Sequence, residues 1–189
     1  KQIGIFTATR WELNAVRRAV LVEEETGVGG ARCVIGRRGN CRLLVIQTGV
    51  GTAKADAVCR KVFRSHTLDL AVSSGFACAL TVSHIGDLLI GTDVMMHRGP
   101  ANSPDASHVI PCAEQLSAAA VRAAQETGVA ARAGRFVTVP HVVWRAQEKR
   151  EIAAGTGAVG LDMESAAVGA AALERNIPFA IVRAVSDLL

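Results

Sequence analysis

The residue whose position says most about chemistry in this chain is Asp187. The apolar run Pro178-Phe179-Ala180-Ile181-Val182-Arg183-Ala184-Val185 reads as a strand that delivers Ser186 and Asp187 at its carboxyl end. In open α/β sheets ligands sit just beyond the carboxyl ends of the strands, so a carboxylic acid placed there is a candidate proton donor. Position alone favours a helix-capping or turn Asp. Three further strand ends make the case for a site. Lys1-Gln2-Ile3-Gly4-Ile5-Phe6-Thr7 reads as a buried strand that breaks into Ala8-Thr9-Arg10-Trp11-Glu12, and a helix with Leu13, Val16 and Val20 on one face begins there, with Glu12 in its first turn. Leu68 to Val72 runs into Ser73-Ser74-Gly75-Phe76-Ala77, read as a small-residue loop in which Gly75 lets a ligand approach the backbone. Ala158-Val159-Gly160-Leu161 ends at Asp162-Met163-Glu164-Ser165, where Glu164 opens an Ala-rich helix running to about Arg175.

The elements that position these residues follow from composition and pattern. At 189 residues the chain suits one well-buried domain. Half the residues are apolar, Tyr is absent and aromatics make up 4%, so the core must be built from Val, Ile, Leu and Ala, which suits a sheet covered by helices on both faces. Arg32 to Gly36 and Arg42 to Gln47 read as a strand pair across Arg38-Gly39-Asn40, Gly51 to Ser65 as a helix and Gly86 to Met96 as a long strand. A turn-rich connection from Gly99 to Asp105, where mobility is expected, leads to a helix over about Ala113 to Thr127 and a strand over Phe136 to Val139.

Other chemistries find little support. The net charge of +4 comes from scattered Arg, with no basic run and no interleaved aromatics, which argues against nucleic acid as a partner. Cys33, Cys41, Cys59, Cys78 and Cys112 have irregular spacings and an odd count, as expected of reduced core residues in a cytoplasmic protein. No apolar stretch reaches the length of a membrane span, and the chain opens on a strand instead of a signal sequence. His66, His84, His97, His108 and His141 are dispersed without metal-site spacing, so no metal is expected. No Ser lies in a GxSxG elbow, and Cys78, with no activating partner in view, reads as a structural thiol. Val45-Ile46-Gln47-Thr48-Gly49-Val50-Gly51 followed by a helix superficially suggests a dinucleotide fingerprint. Its third small residue is misplaced and no acidic residue ends the following strand, so a tight turn packing near a ligand is preferred to NAD binding.

Taken together, several segments resemble the purine nucleoside phosphorylase and nucleosidase superfamily. They are Gly4-Ile5-Phe6-Thr7-Ala8 with Glu12, Thr48 to Ala55, Ser74-Gly75-Phe76-Ala77, Ile85-Gly86-Asp87-Leu88, Leu161-Asp162-Met163-Glu164-Ser165-Ala166-Ala167, and Val182-Arg183-Ala184-Val185-Ser186-Asp187. Within it the chain is most similar to nucleosidases that hydrolyse methylthioadenosine and S-adenosylhomocysteine, and to phosphorylase-like proteins associated with hopanoid biosynthesis. The resemblance implies a three-layer α/β/α sandwich on a central mixed sheet, a homodimer or larger assembly, and no cofactor beyond phosphate as co-substrate if the enzyme is a phosphorylase. It implies a purine nucleoside as the small-molecule partner. Asp187 would protonate the departing base, which requires a carboxyl kept protonated by burial or a neighbouring negative charge. Glu12 would orient the attacking water. Glu164 would accept the ribose hydroxyls, Met163 would pack under the sugar, and Gly75 and Phe76 would lie along base and sugar. Val142 and Val143 would hold the purine through backbone groups beside Ser186. Arg183, costly to bury alone, is expected to pair with Glu12 or Glu164.

The chain departs from the family in places. Nucleosidases commonly carry Ser-Ala-Gly-Gly where this chain has Gly75-Phe76-Ala77-Cys78, an aromatic is usual where Val142 stands, and relatives continue past the catalytic Asp into a helix that this sequence, ending at Leu189, lacks. A pocket of Val, Met and Phe suits an apolar 5′ substituent. Hydrolysis is the favoured reaction. Phosphorolysis is the alternative, with Arg10 near the first junction and Arg98 as a residue that could reach a partner's site, and an inactive nucleoside-binding relative is the non-enzyme reading.

Overall fold

The computed structural model describes residues 1–97 and 109–189. The expected mobile connection from Gly99 to Asp105, Arg98 and His108 lie outside the described residues. Strand β1 (Gln2–Thr7) runs parallel to β4 (Cys41–Gln47) on one side and to β5 (Leu70–Ala79) on the other. Beyond β4 the sheet continues through antiparallel β3 (Ala31–Arg38) to β2 (Leu21–Val28) at the edge. On the other side β5 pairs in parallel with β10 (Phe179–Asp187), and the far end of β5 pairs with the short antiparallel strand β9 (Gly160–Asp162). Strand β10 is also antiparallel to β6 (Leu88–Met96), which runs parallel to β8 (Ala131–Thr138), itself parallel to β9. Strands β5, β10, β6, β8 and β9 therefore close into a ring attached to the open part of the mixed sheet. The short β7 (Val109–Pro111) pairs with the end of β6.

Why both faces of the sheet must be covered is visible in β4. Leu43, Leu44, Val45 and Ile46 are consecutive and all buried, so neither set of alternating side chains faces water. Val45 packs with Val34 and Leu13 of α1 (Arg10–Arg17) on one face. Leu44 and Ile46 point into the main core, where α2 (Thr52–Ser65) contributes Cys59, Val62 and Phe63. Helix α5 (Ser165–Leu173) packs against α2 and is buried nearly all round, as an apolar helix without a polar face must be. Its small residues have a packing reason: a Cβ on Gly169 would lie 2.7 Å from the Phe179 ring. Helix α3 (Glu114–Glu126) covers β6, β8 and β10, and α4 (Ala146–Thr156) joins a second core cluster with Val137, Val143 and Leu161 through Ile152.

Two readings change. The small-residue segment Ser73 to Ala77 is not a loop, because β5 continues through it to Ala79 and pairs with β10 along the way. The α1 helix ends at Arg17, so Val20 falls in the following turn, although it still packs against the same cluster. Strand β2 has no counterpart in the sequence reading: Glu23, Glu24 and Glu25 give it a polar edge, and Glu23 and Glu25 pair with Arg37, Arg32 and Arg17 at the surface. All five cysteines are free. No helix among the described residues is long and apolar enough to cross a membrane.

Phe6 places β1 in the core, 1% exposed and edge-on to Phe63 with ring centroids 5.4 Å apart. Phe6→Ala should lower stability by about 3–5 kcal/mol in urea denaturation; a loss below about 1 kcal/mol would show that the ring does not anchor the strand.

Candidate active site

The site is organised around a buried guanidinium. Arg183 sits on β10, 2% exposed, and its Nε lies 2.8 Å from Asp162 Oδ2. The same Nε–H donates to Ser165 Oγ at 3.2 Å, Nη1 donates to Phe76 O at 2.9 Å, and Nη2 donates to Ser73 Oγ at 2.9 Å and to Glu164 Oε2 at 3.4 Å. Asp162 in turn accepts from Thr138 Oγ1 at 2.7 Å, from the Ser165 hydroxyl, and from the Ser165 backbone at 3.2 Å. A charge so deep in the protein is tolerable only when paired and hydrogen-bonded, and here each of the three nitrogens has a partner. The expected partner Glu164 is present at the longer distance, Glu12 is not a partner, and the nearest carboxylate is Asp162, which the sequence reading did not assign.

Glu164 caps α5 by position. Its side chain does not cap the helix; instead Oε1 accepts the Gly51 N–H at 2.9 Å. The glycine turn before α2 thus serves to bring a backbone donor to a carboxylate. Burial raises the Glu164 carboxyl above its ordinary range, against the opposing pull of Arg183.

Glu12 is held from the other side of the cleft. Thr9 and Glu12 form a reciprocal capping box at the start of α1, with Thr9 N donating to Glu12 Oε2 at 2.7 Å. Glu12 Oε1 accepts the Phe76 N–H at 2.8 Å, so the carboxylate bridges α1 and β5. Although it lies in a first helical turn, it is buried, 4% exposed. Gly75 is required because Glu12 crosses it: a Cβ there would lie 2.2 Å from Glu12 Oε1.

Asp187 departs from expectation. Its side chain is 56% exposed and Oδ2 accepts from Lys149 Nζ at 2.7 Å, while Oδ1 accepts the Leu188 N–H at 2.9 Å. The Lys149 hydrogen bond holds the carboxyl below the usual carboxylate range, outweighing partial burial. The expected protonating environment, burial or a neighbouring anion, is therefore not what surrounds it; a cation does. Cys78, nearby, has its thiol pushed up to about 11 by burial and stays protonated, as a structural thiol should.

A cleft of about 280 Å³ joins these groups at the carboxyl ends of β1, β5 and β10. Glu12, Phe76, Val142, Val143, Met163, Glu164, Ser186 and Asp187 all line it. Gly75 and Arg183 do not; they support Glu12 and Glu164 from behind. Val143 is buried in the second core cluster, whereas Val142 is 68% exposed at the mouth. Sequence reasoning missed Asp162, Ser73, Ser165 and Thr138 as one network, and Lys149. It also missed Thr9, although the Thr9-x-x-Glu12 spacing is a legible capping signal. No group of His, Cys, Asp and Glu among the described residues is arranged to hold a metal ion.

The sequence profile of the Phosphorylase superfamily matches residues 2–189, and the chain belongs to that superfamily. The 5′-methylthioadenosine/S-adenosylhomocysteine nucleosidase of Staphylococcus aureus (strain bovine RF122 / ET3-1) is 24% identical over 196 residues, covering 98% of this chain and 86% of the relative. Among solved structures, the Neisseria meningitidis nucleosidase of the same name, in complex with methylthio-immucillin-A, superposes with a TM-score of 0.89 at 24% identity over 99% of this chain and 86% of that one. A futalosine hydrolase mutant of Helicobacter pylori gives a TM-score of 0.88 at 22% identity over 99% and 86%.

Removing the guanidinium would strand two buried carboxylates. Arg183→Met should cost about 3–5 kcal/mol of stability in chemical denaturation; a change within about 0.5 kcal/mol would mean that the Asp162 and Glu164 contacts do not hold the site.

Proposed function

We propose that this chain, acting as one domain over residues 1–189, hydrolyses the N-glycosidic bond of an adenine-type purine nucleoside. Breaking that bond leaves positive charge on the ribose and negative charge on the base, so it needs a proton for the base and a directed water for the sugar. Asp187 is the group that passes the proton to the base. Glu12 orients the water, a role supported by its fixed position between Thr9 and the Phe76 N–H. Glu164 accepts the ribose hydroxyls, Met163 lies under the sugar, and Phe76, Val142, Val143 and Ser186 contact base and sugar. Apolar Met163, Val50 and Phe76 along the cleft favour an apolar substituent at the 5′ carbon. The likeness to enzymes named for 5′-methylthioadenosine and S-adenosylhomocysteine agrees with that choice.

The observation that carries hydrolysis over phosphorolysis is the engagement of all three Arg183 nitrogens by protein partners. A phosphate co-substrate needs cationic donors facing the cleft. Among the described residues Arg183 gives its donors to Asp162, Ser165, Phe76, Ser73 and Glu164, and Lys149 gives its own to Asp187 and Leu188 O. Phosphorolysis, on a nucleoside such as a hopanoid-linked adenosine, stays as the second reading because the superfamily is named for phosphorylases. Exposed Trp11 and Trp144, next in sequence to cleft residues Glu12 and Val143, favour a homodimer that covers the cleft mouth. Five free thiols suit a cytoplasmic location.

Chromatography of products from methylthioadenosine, S-adenosylhomocysteine, adenosine and inosine, with and without phosphate, tests the reading. Free base and free sugar without phosphate are expected; a sugar 1-phosphate formed only with phosphate would establish phosphorolysis, and no product from any of the four would sink both. Asp187→Asn should keep substrate binding within a few fold and lower kcat by roughly 10²–10⁴-fold. Glu12→Gln should slow hydrolysis by a similar order, roughly 10²-fold or more; unchanged kcat in either variant would remove that residue from its role.

A further inference from the structure

Lys149 is the only lysine buried among the described residues, 5% exposed on the first turns of α4. Three residues on, Ile152 is packed among Val137, Val143 and Leu161, so the helix is anchored and carries the ammonium to the end of β10. There Nζ donates to Asp187 Oδ2 at 2.7 Å and to Leu188 O at 2.8 Å. A cation at this distance is the opposite of what keeps a carboxyl protonated. If Asp187 worked alone as an acid, Lys149 would be a handicap.

We propose that Lys149, acting through Asp187, supplies the proton that the departing base takes up. The inference rests on the hydrolase reading given above. As the bond from sugar carbon to base nitrogen breaks, its electron pair moves onto the base. The Lys149 Nζ–H bond breaks and an O–H bond forms on Asp187, and the carboxyl then gives a proton to the base nitrogen. Lys149 is left as a neutral amine and Asp187 as a carboxylate. The attacking water bonds to the sugar carbon through oxygen and releases its proton by way of Glu12 to solvent. When the products leave, water reprotonates Lys149 through Asp187, whose exposed side chain opens to the cleft. A departing purine anion is a far stronger base than the intact nucleoside, so a lysine proton is available to it although it is not available to the bound substrate.

The neighbours of the pair are consistent with this assignment. Burial works against the ammonium, but the Asp187 hydrogen bond and charge, together with Cys78, outweigh it and keep Lys149 above its ordinary value. Cys78 on β5 is protonated through the neutral range. His141, across the cleft, faces Glu148 at 3.3 Å, and Asp162 faces Arg183, so neither carboxylate competes for Lys149.

The test is the pH dependence of base release by the wild-type chain and by Lys149→Arg and Lys149→Met, with adenine binding by calorimetry as the check that each variant keeps its cleft. The proton lies on nitrogen, so wild-type kcat/KM should hold through neutral pH and fall only above the ordinary lysine value of about 10.4. Arg keeps the charge and the contact to Asp187 but does not give up its proton. Both variants should therefore lose roughly 10²-fold or more in kcat at pH 8 with KM changed less than about three-fold. In Lys149→Met the remaining activity should move to acid pH, since an unpaired Asp187 is protonated only there. Lys149→Arg with near wild-type kcat would reduce Lys149 to holding Asp187 in place, and a faster Lys149→Met at neutral pH would likewise overturn the proposal. The wild-type profile decides without any variant: an active enzyme whose kcat/KM falls in the carboxylate range removes Lys149 from the step and leaves the hydrolase reading standing. A wild-type chain that releases no base at any pH brings down the hydrolase reading, and the Lys149 step with it.

Discussion

Everything in the site depends on satisfying one charge that cannot reach water. Arg183 is delivered into the interior by a strand whose neighbours are apolar, and it is held there by Asp162, Glu164, Ser73, Ser165 and the Phe76 carbonyl. Those partners come from β5, β9, α5 and the junction between them, so satisfying the guanidinium fixes the relative positions of four elements. The same contacts leave Glu164 with one oxygen toward Arg183 and the other on the Gly51 N–H, and leave the Phe76 N–H free to take Glu12. A buried ion pair adds little stability relative to an apolar replacement; its contribution here is to make a single arrangement the satisfied one.

The carboxylates of the cleft then differ because their surroundings differ. Glu164 is buried and raised; Asp187 is exposed and held down by a hydrogen bond from a cation. Opposed environments for neighbouring carboxyls are how one pocket runs acid and base chemistry together. Here the distribution differs from the arrangement a lone acid would need, since the charge beside Asp187 is positive and comes from Lys149 on α4.

What could be read from the sequence was what depends on local pattern. The β1, β3, β4, β6 and β10 strands and α1, α2, α3 and α5 announce themselves because their apolar residues repeat at strand or helix spacing and their ends carry Gly, Ser or acidic residues. Of the cleft residues, Asp187 with Ser186, Glu12 and Glu164 could be named from strand and helix junctions, whereas Phe76, Met163, Val142 and Val143 are named through the family resemblance. The failures share a cause. Strand β2 is polar at an edge, and α4 buries Lys149 and Thr156 beside Ile152, so neither has an apolar stripe to detect. Ser73 to Ala77 looked like a loop because small residues are turn formers, yet in β5 they are small for packing reasons: Ser73 faces Arg183 and Gly75 makes room for Glu12. The ring closed by β10 reaching both β5 and β6 is a long-range pairing that no local pattern encodes.

Gly75 shows how tightly fold and site are joined. Strand β5 must approach α1 closely enough for the Phe76 N–H to reach Glu12, and only a residue without a Cβ permits it. The carboxylate meanwhile caps its own helix through Thr9, so its position is set twice, once from α1 and once from β5. A group fixed from two independent elements loses little entropy on binding a water and presents the same oxygen each time. Glu12 is in this sense a more rigid part of the site than Asp187, which is exposed and held by the adjacent Leu188 N–H and by a lysine on a separate helix. That difference fits the roles proposed for them: a group that orients water must stay still, whereas one that passes a proton between an amine and a leaving base must be able to change partners.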